Sequence, residues 1–146
     1  MLASLLLFAL SIVPDGERFN CTPTHVWDGD GPIVCAEGAR VRLSGISARE
    51  LNETCRQNQP CPTAGGIAAR NALIAMLGKP IGVTRQGLIA VRGPALSCTS
   101  VGSAGKEMTA AWCTSPKAGD LSCAMVEKGY ALKWDKYWKG HRCSWV

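Results

Sequence analysis

A chain of 146 residues, 47% hydrophobic and 18% charged, has room for one domain with a buried core and not for two. That balance excludes a chain dominated by disorder, while 16 glycines and 8 prolines indicate many turns between short elements. The net charge of +5 favours anionic partners only weakly, since an ordinary solvated surface carries as much.

In chain order, residues 1–13, MLASLLLFALSIV, come first as an apolar run that ends at Pro14. The run is too short to span a bilayer as an ordinary helix and has the character of the apolar part of a secretory signal, although no basic residue precedes it. Two assignments stand for residues 1–19, a signal peptide or an uncleaved N-terminal anchor, with residues 20–146 as the exported domain. The expected location is periplasmic or secreted, with a membrane-anchored form as the alternative.

The cysteines agree with export. Eight of them, at positions 21, 35, 55, 61, 98, 113, 123 and 143, suit four disulfides in an oxidising compartment. No CxxC pair occurs and only His25 and His141 offer imidazole, which argues against structural zinc. Spacing suggests Cys21 with Cys35 and Cys98 with Cys113 as ties between neighbouring strands, Cys55 with Cys61 as a loop clasp, and Cys123 with Cys143 pinning the tail.

Past the leader the first half reads as strands. CTPTHVW runs into a DGDGP turn, IVCA follows, EGA makes a second turn, and RVRLSGI alternates Val41 and Leu43 against Arg42 and Ser44. Residues 51–61, LNETCRQNQPC, form a polar loop. CPTAGGIAARNALIAMLGK has helical character, with Pro62 suited to a first turn, apolar positions that include Ile67, Leu73, Ile74 and Met76, and a stop at Gly78 and Pro80. Strands are predicted around GVTRQGLIAVRG and KEMTAAWC, with GPALSCTSVGSAG irregular between them. DLSCAMVEKGY predicts a short helix capped by Asp120 and ended by Gly129. Three strands, a helix, two strands and a helix describe an α+β chain, an OB-type five-stranded Greek-key barrel with a helix after strand 3 and a C-terminal helix.

DGDGPIVCAEGARVRLSGISARE, residues 28–50, resembles the opening of the staphylococcal nuclease (thermonuclease) family. GDLSCAMVEKGYALKW, residues 119–134, is similar to that family's late helix and aromatic tail, and the likeness runs in order over roughly residues 20–138. The resemblance implies an OB barrel and a divergent, monomeric nuclease that hydrolyses DNA or RNA phosphodiesters with Ca²⁺, Mg²⁺ and Mn²⁺ being alternatives. A phosphodiester is an anion that resists hydroxide, so such an enzyme needs a cation, a held water and positive groups for the growing charge. By the resemblance Asp30, Ser47, Ala48 and Glu50 are the metal set, Arg42 is a phosphate clamp, and Glu50 also orients or deprotonates the attacking water.

Departures from the family pattern are informative. Ser47 stands where a second metal-binding aspartate is usual, and a hydroxyl is a far weaker Ca²⁺ ligand than a carboxylate. Arg49 replaces a proline and brings a charge that favours a phosphate, and Gly31 stands where threonine is common. The family's second arginine follows a glycine before the fifth strand. GSAGKEMTAAWC places Lys106 there if the glycine is matched and Met108 if the alignment runs back from Cys113. Lys106, the catalytic candidate, supplies a point charge without arginine's fork.

Bland readings stand beside these. Asp28 and Asp30 make a hairpin turn with Asp-Gly chemistry whether or not a metal is involved, and Asp28 reads as a turn-stabilising or outer acid. Lys133, Trp134 and Lys136, in a stretch with Tyr137, Trp138 and Trp145, read either as a stacking surface for nucleic acid or as rings packed on the barrel beneath solvated lysines. His25 and His141 read as surface or strand-edge residues. The competing function is a catalytically silent OB domain that binds nucleic acid or a protein partner through its basic face, favoured by Ser47 and Met108. A structural role in the cell envelope is a third.

Overall fold

The structure, a computed structural model, describes residues 12–143. Residues 1–11 of the expected leader and Trp145 lie outside the described residues.

The chain is α+β, mostly a mixed sheet with three helices. The first half supplies β1 (Arg18–Cys21), β2 (Pro23–Val26), β3 (Ile33–Cys35), β4 (Arg40–Leu43) and the two-residue β5 (Ile46–Ser47). CTPTHVW, expected as one strand, is split at Thr22, so that β1 pairs with one neighbour and β2 with others. RVRLSGI alternates as expected, with Val41 and Leu43 buried and Arg42 half-buried on the opposite side.

Helix α1 (Gly66–Leu77) begins four residues after Pro62, because Gly65 is its extended cap and a carboxylate from the preceding loop serves its first turn: Glu53 Oε2 accepts from the Gly66 amide at 2.8 Å. Its inner face is Ala69, Leu73, Ile74, Met76 and Leu77, whereas Ile67, expected on the apolar side, is exposed. The GVTRQGLIAVRG segment is a hairpin rather than one strand, β6 (Lys79–Val83) turning at residues 84–88 into β7 (Ile89–Arg92). The stretch expected to be irregular contains the longest strand, β8 (Leu96–Ser103), which pairs with β9 (Thr109–Ser115). Glycine, serine and threonine hide its strand character from propensity, and burial of Leu96, Cys98 and Ser100 on one side reveals it. After β10 (Gly119–Asp120) comes α2 (Leu121–Glu127), where Asp120 Oδ1 accepts from the Cys123 amide at 2.9 Å, the cap expected from sequence. The tail adds β11 (Leu132–Lys133), paired with β5, and the short α3 (Asp135–Trp138).

The large sheet runs β1-β8-β9-β4-β3-β2-β7-β6, with β10 on β9; β4 and β9 are parallel and every other pair is antiparallel. The path is open between β1 and β6, and the large sheet has nine strands rather than the five expected. Strand β6 is exposed along its length and carries Pro80, as suits an edge. A single core of Val26, Ile33, Val41, Leu43, Leu73 and Leu121 and their neighbours lies between the sheet and helices α1 and α2.

All four expected disulfides form. Cys21–Cys35 ties β1 to β3, Cys98–Cys113 joins directly opposed residues of β8 and β9, Cys55–Cys61 clasps the loop, and Cys123–Cys143 fastens the tail to α2. The fold extends below residue 20: Val13 bonds to Thr109 and Ser100, Gly16 bonds to Ser100, and β1 opens at Arg18. Among the described residues no helix is long and apolar enough to cross a membrane.

Candidate functional site

The DGDG turn links β2 to β3 and is wedged between α1 and β4. A Cβ on Gly29 would lie 2.6 Å from the Ala69 Cβ, so only glycine lets the turn approach the helix. Gly31 has φ +112° and sits against the Val41 carbonyl, which explains glycine where threonine was the expected residue.

This packing buries both aspartates. Asp30 Oδ2 accepts from the Ala48 amide at 3.1 Å and from Arg42 Nη2 at 3.4 Å, leaving Oδ1 out of both contacts. Asp28 Oδ1 accepts from the Asp30 amide at 3.3 Å. Burial, and then the neighbouring charges of Asp30 and Glu50, push the Asp28 carboxyl up to about 9. At neutral pH Asp28 therefore keeps its proton in a cluster of three acids, Asp28, Asp30 and Glu50, and the charges of the other two are met by Arg42 and Arg56. The oxygens of that cluster are the hard donors present for a divalent cation.

The remaining expected ligands are engaged elsewhere. Ser47 Oγ donates to the Pro60 carbonyl at 2.7 Å and accepts from Gln59, and the Ala48 carbonyl accepts from Gln59 Nε2 at 3.0 Å. The 55–61 clasp folds Gln59 onto the end of β5, where its Nε2 donates to both oxygens, and the third carboxyl beside Asp30 and Glu50 is Asp28. Arg49 is likewise committed, donating to Pro62 and Glu53 carbonyls at 2.6 and 2.7 Å, and braces the loop instead of facing a phosphate. Glu50, a quarter exposed, is held by Arg56 at 3.2 Å.

Arg42 joins this cluster to a cavity of about 670 Å³. On one side its guanidinium meets Asp30 and the Ile46 carbonyl; on the other it lies 5.8 Å from the Trp134 ring and lines the cavity. The opposite wall comes from the tail and β9: Trp112, Tyr137, Trp138, Lys139 and His141. Cation and ring alternate along the tail, with Lys133 4.7 Å from Trp138 and Lys136 5.3 Å from Tyr137. Trp138 is buried, as the packing reading expects, while Trp134 and Tyr137 border the cavity. Lys106 sits in the exposed β8–β9 turn; the lining reaches Gly105, one residue short of it.

Two residues escaped sequence reasoning. Trp112 was visible only as one ring in KEMTAAWC, and His141, read as a surface or strand-edge residue, is half-buried instead. In the fold their rings stack at 3.6 Å and 3°. Asp120, Cys123 and His141 have ligand-type atoms within 4.8 Å of one another, but Cys123 is in a disulfide and offers no thiolate. What remains is a histidine–carboxylate pair. No family model matches the chain, and no curated protein matches it.

Proposed function

We propose that the protein is an exported, metal-dependent nuclease of the thermonuclease type, hydrolysing phosphodiesters of DNA or RNA. The observation that carries this reading is the position of Arg42, which spans a three-carboxylate cluster and an aromatic, cation-lined cavity. Acids alone would suggest a structural ion, and rings alone a packing surface; a phosphodiester needs both, joined by a group that holds the phosphate.

Strand order also supports an OB-type core. Taking β1 and β2 as one strand interrupted at Thr22, the order continues through β3, β4, β9 and β8 and returns to β1, with β4 parallel to β9. This is a five-stranded Greek-key circuit, to which the β6–β7 hairpin is an addition.

In this mechanism Arg42 holds the scissile phosphate and the charge that grows on it, and Trp134 and Tyr137 stack flanking bases. Glu50 orients the attacking water and receives its proton. Asp30 and Glu50, with Asp28 once it releases its proton to solvent, would hold a hard cation such as Ca²⁺, Mg²⁺ or Mn²⁺, which would supply Lewis acidity toward the phosphate oxygen. Lys106 adds a diffuse positive charge at the mouth, and the four disulfides fit an exported chain.

The test is disulfide-intact protein incubated with plasmid and single-stranded DNA or RNA in each of the three ions and in chelator. Cleavage is expected with at least one ion, and Glu50→Ala is expected to lower it by about 10²–10³-fold, the scale of a lost acid–base group. Absence of cleavage under every condition rejects the reading, as does full activity in Glu50→Ala. The silent alternative predicts salt-sensitive, ion-independent binding without cleavage.

A further inference from the structure

His141 has the geometry of a working residue. Its ring is fixed on three sides: stacked on Trp112 at 3.6 Å, edge-on to Trp138 at 5.4 Å, and held through Nε2 by Asp120 Oδ2 at 2.6 Å. Its backbone is fixed as well, because the His141 carbonyl accepts from Trp138 Nε1 at 2.8 Å and Cys143 is tied to Cys123. Asp120 is itself immobile, its other oxygen capping α2. A surface histidine needs none of this, and the side chain lines the cavity.

With Nε2 committed to a carboxylate, Nδ1 has no recorded partner among the described residues and is the nitrogen left for a ligand. An imidazolium presents Nδ1–H as a donor, and the carboxylate on Nε2 fixes the direction in which that nitrogen faces. The other charged side chains that line the cavity are Arg42 and Lys139, both cations, so a ligand meeting His141 from the cavity is an anion. Trp112 and Trp138, the other groups packed on the ring, are uncharged.

We propose that His141, oriented by Asp120, is a phosphate-contacting residue that binds a backbone phosphodiester of single-stranded nucleic acid one or more nucleotides away from the phosphate at Arg42. This rests on the nucleic-acid reading of the cavity and deepens it: His141 supplies from the tail a fixed second donor to phosphate, which the Lys106 turn does not. Asp120 is a positioning residue, acting through the imidazole.

The experiment measures binding of a short oligothymidylate to the full chain in chelator, where no cleavage complicates the reading. A methylphosphonate oligomer of the same sequence, with bases but no backbone charge, is the control. The charged oligomer is expected to bind at pH 5.5 and low salt. His141→Phe, which keeps the stack on Trp112, is expected to bind it about tenfold more weakly under the same conditions. Asp120→Asn retains an oxygen for the α2 cap; it is expected to weaken binding several-fold at unchanged melting temperature and to shift the imidazole ¹⁵N resonances. The methylphosphonate oligomer should distinguish neither variant from the parent.

Equal binding by His141→Phe and the parent overturns the proposal, as does equal sensitivity with the uncharged oligomer or no binding of the charged one. Binding that behaves as described in a protein that cleaves nothing supports it while rejecting the nuclease reading. Cleavage and binding that ignore His141 do the reverse.

Discussion

Asp28 shows how one side chain reports on a site. Its carboxyl is raised from an ordinary 3.8 to about 9, first by burial and then by Asp30 and Glu50. Between those pH values the folded chain keeps a proton that the unfolded chain releases, so this residue's contribution to stability falls as pH rises from about 4 to about 9. Asp28→Asn removes that slope. Relative to the parent it is expected to gain at least about 1.4 kcal/mol between pH 5 and pH 8.5, the worth of one pKa unit, measured by urea unfolding. Parallel pH profiles for the two proteins would assign the proton elsewhere. Arg42 is the second test at this scale. Arg42→Lys keeps the charge but loses the planar fork that reaches Asp30, the Ile46 carbonyl and the cavity together. Cleavage is expected to fall about 10²–10³-fold with the fold retained by circular dichroism. Parent-like turnover would remove Arg42 from the chemistry. The residues DGD, Arg42 and Glu50 were legible as a set only through the resemblance of residues 28–50 to the thermonuclease opening. The bonds of Ser47 and Ala48 to Gln59 were not, since they depend on where a loop closes.

At the level of elements, the site depends on two loops that carry little secondary structure. The 50–61 loop positions Glu50 through Arg56 and closes on Ser47 through Gln59, while the tail brings Tyr137 and His141 to the cavity. Each is held by a disulfide. Cys123–Cys143 spans 20 residues, and loop-closure entropy alone assigns it about 3 kcal/mol. Replacing both cysteines with serine is expected to lower the melting temperature by about 10 °C and to weaken oligonucleotide binding at temperatures where the rest of the chain stays folded. Unaltered binding would mean that the tail wall plays no part in recognition. Helices α1 and α2 were readable from their apolar spacing and from Asp120 and Gly129. Strand β8 and the β6–β7 hairpin were not, because serine- and glycine-rich strands declare themselves only through the partners they bury against.

At the scale of the whole molecule, the fold begins earlier than its leader-like composition suggests. Val13 and Gly16 bond to β8 and β9, and Phe19 packs on the core from β1. Relative to a chain starting at Val13, one starting at Asn20 removes half of β1, uncovers the β8 edge and is expected to lose about 1–3 kcal/mol. Equal melting temperatures for the two truncations would show that β1 pairing contributes nothing. The same strand completes the proposed OB circuit, so the longer truncation also tests whether that circuit holds Arg42 in place.

By itself the sequence determined the α+β class, the pairing of all eight cysteines, the two main helices and the short set of acids and arginine on which the chemistry is proposed. The first three follow from local spacing and residue type, which act over a few neighbours, and the last from the resemblance of residues 28–50 to the thermonuclease opening. Only the tertiary structure decided that Asp28 holds a proton, that Ser47 and Arg49 are spent on a loop, and that His141 meets Trp112 and Asp120 beside the cavity. The reason is physical: burial, charge crowding and ring stacking depend on groups brought together from distant parts of the chain, and nothing in a local pattern says which of them the folded chain places in contact.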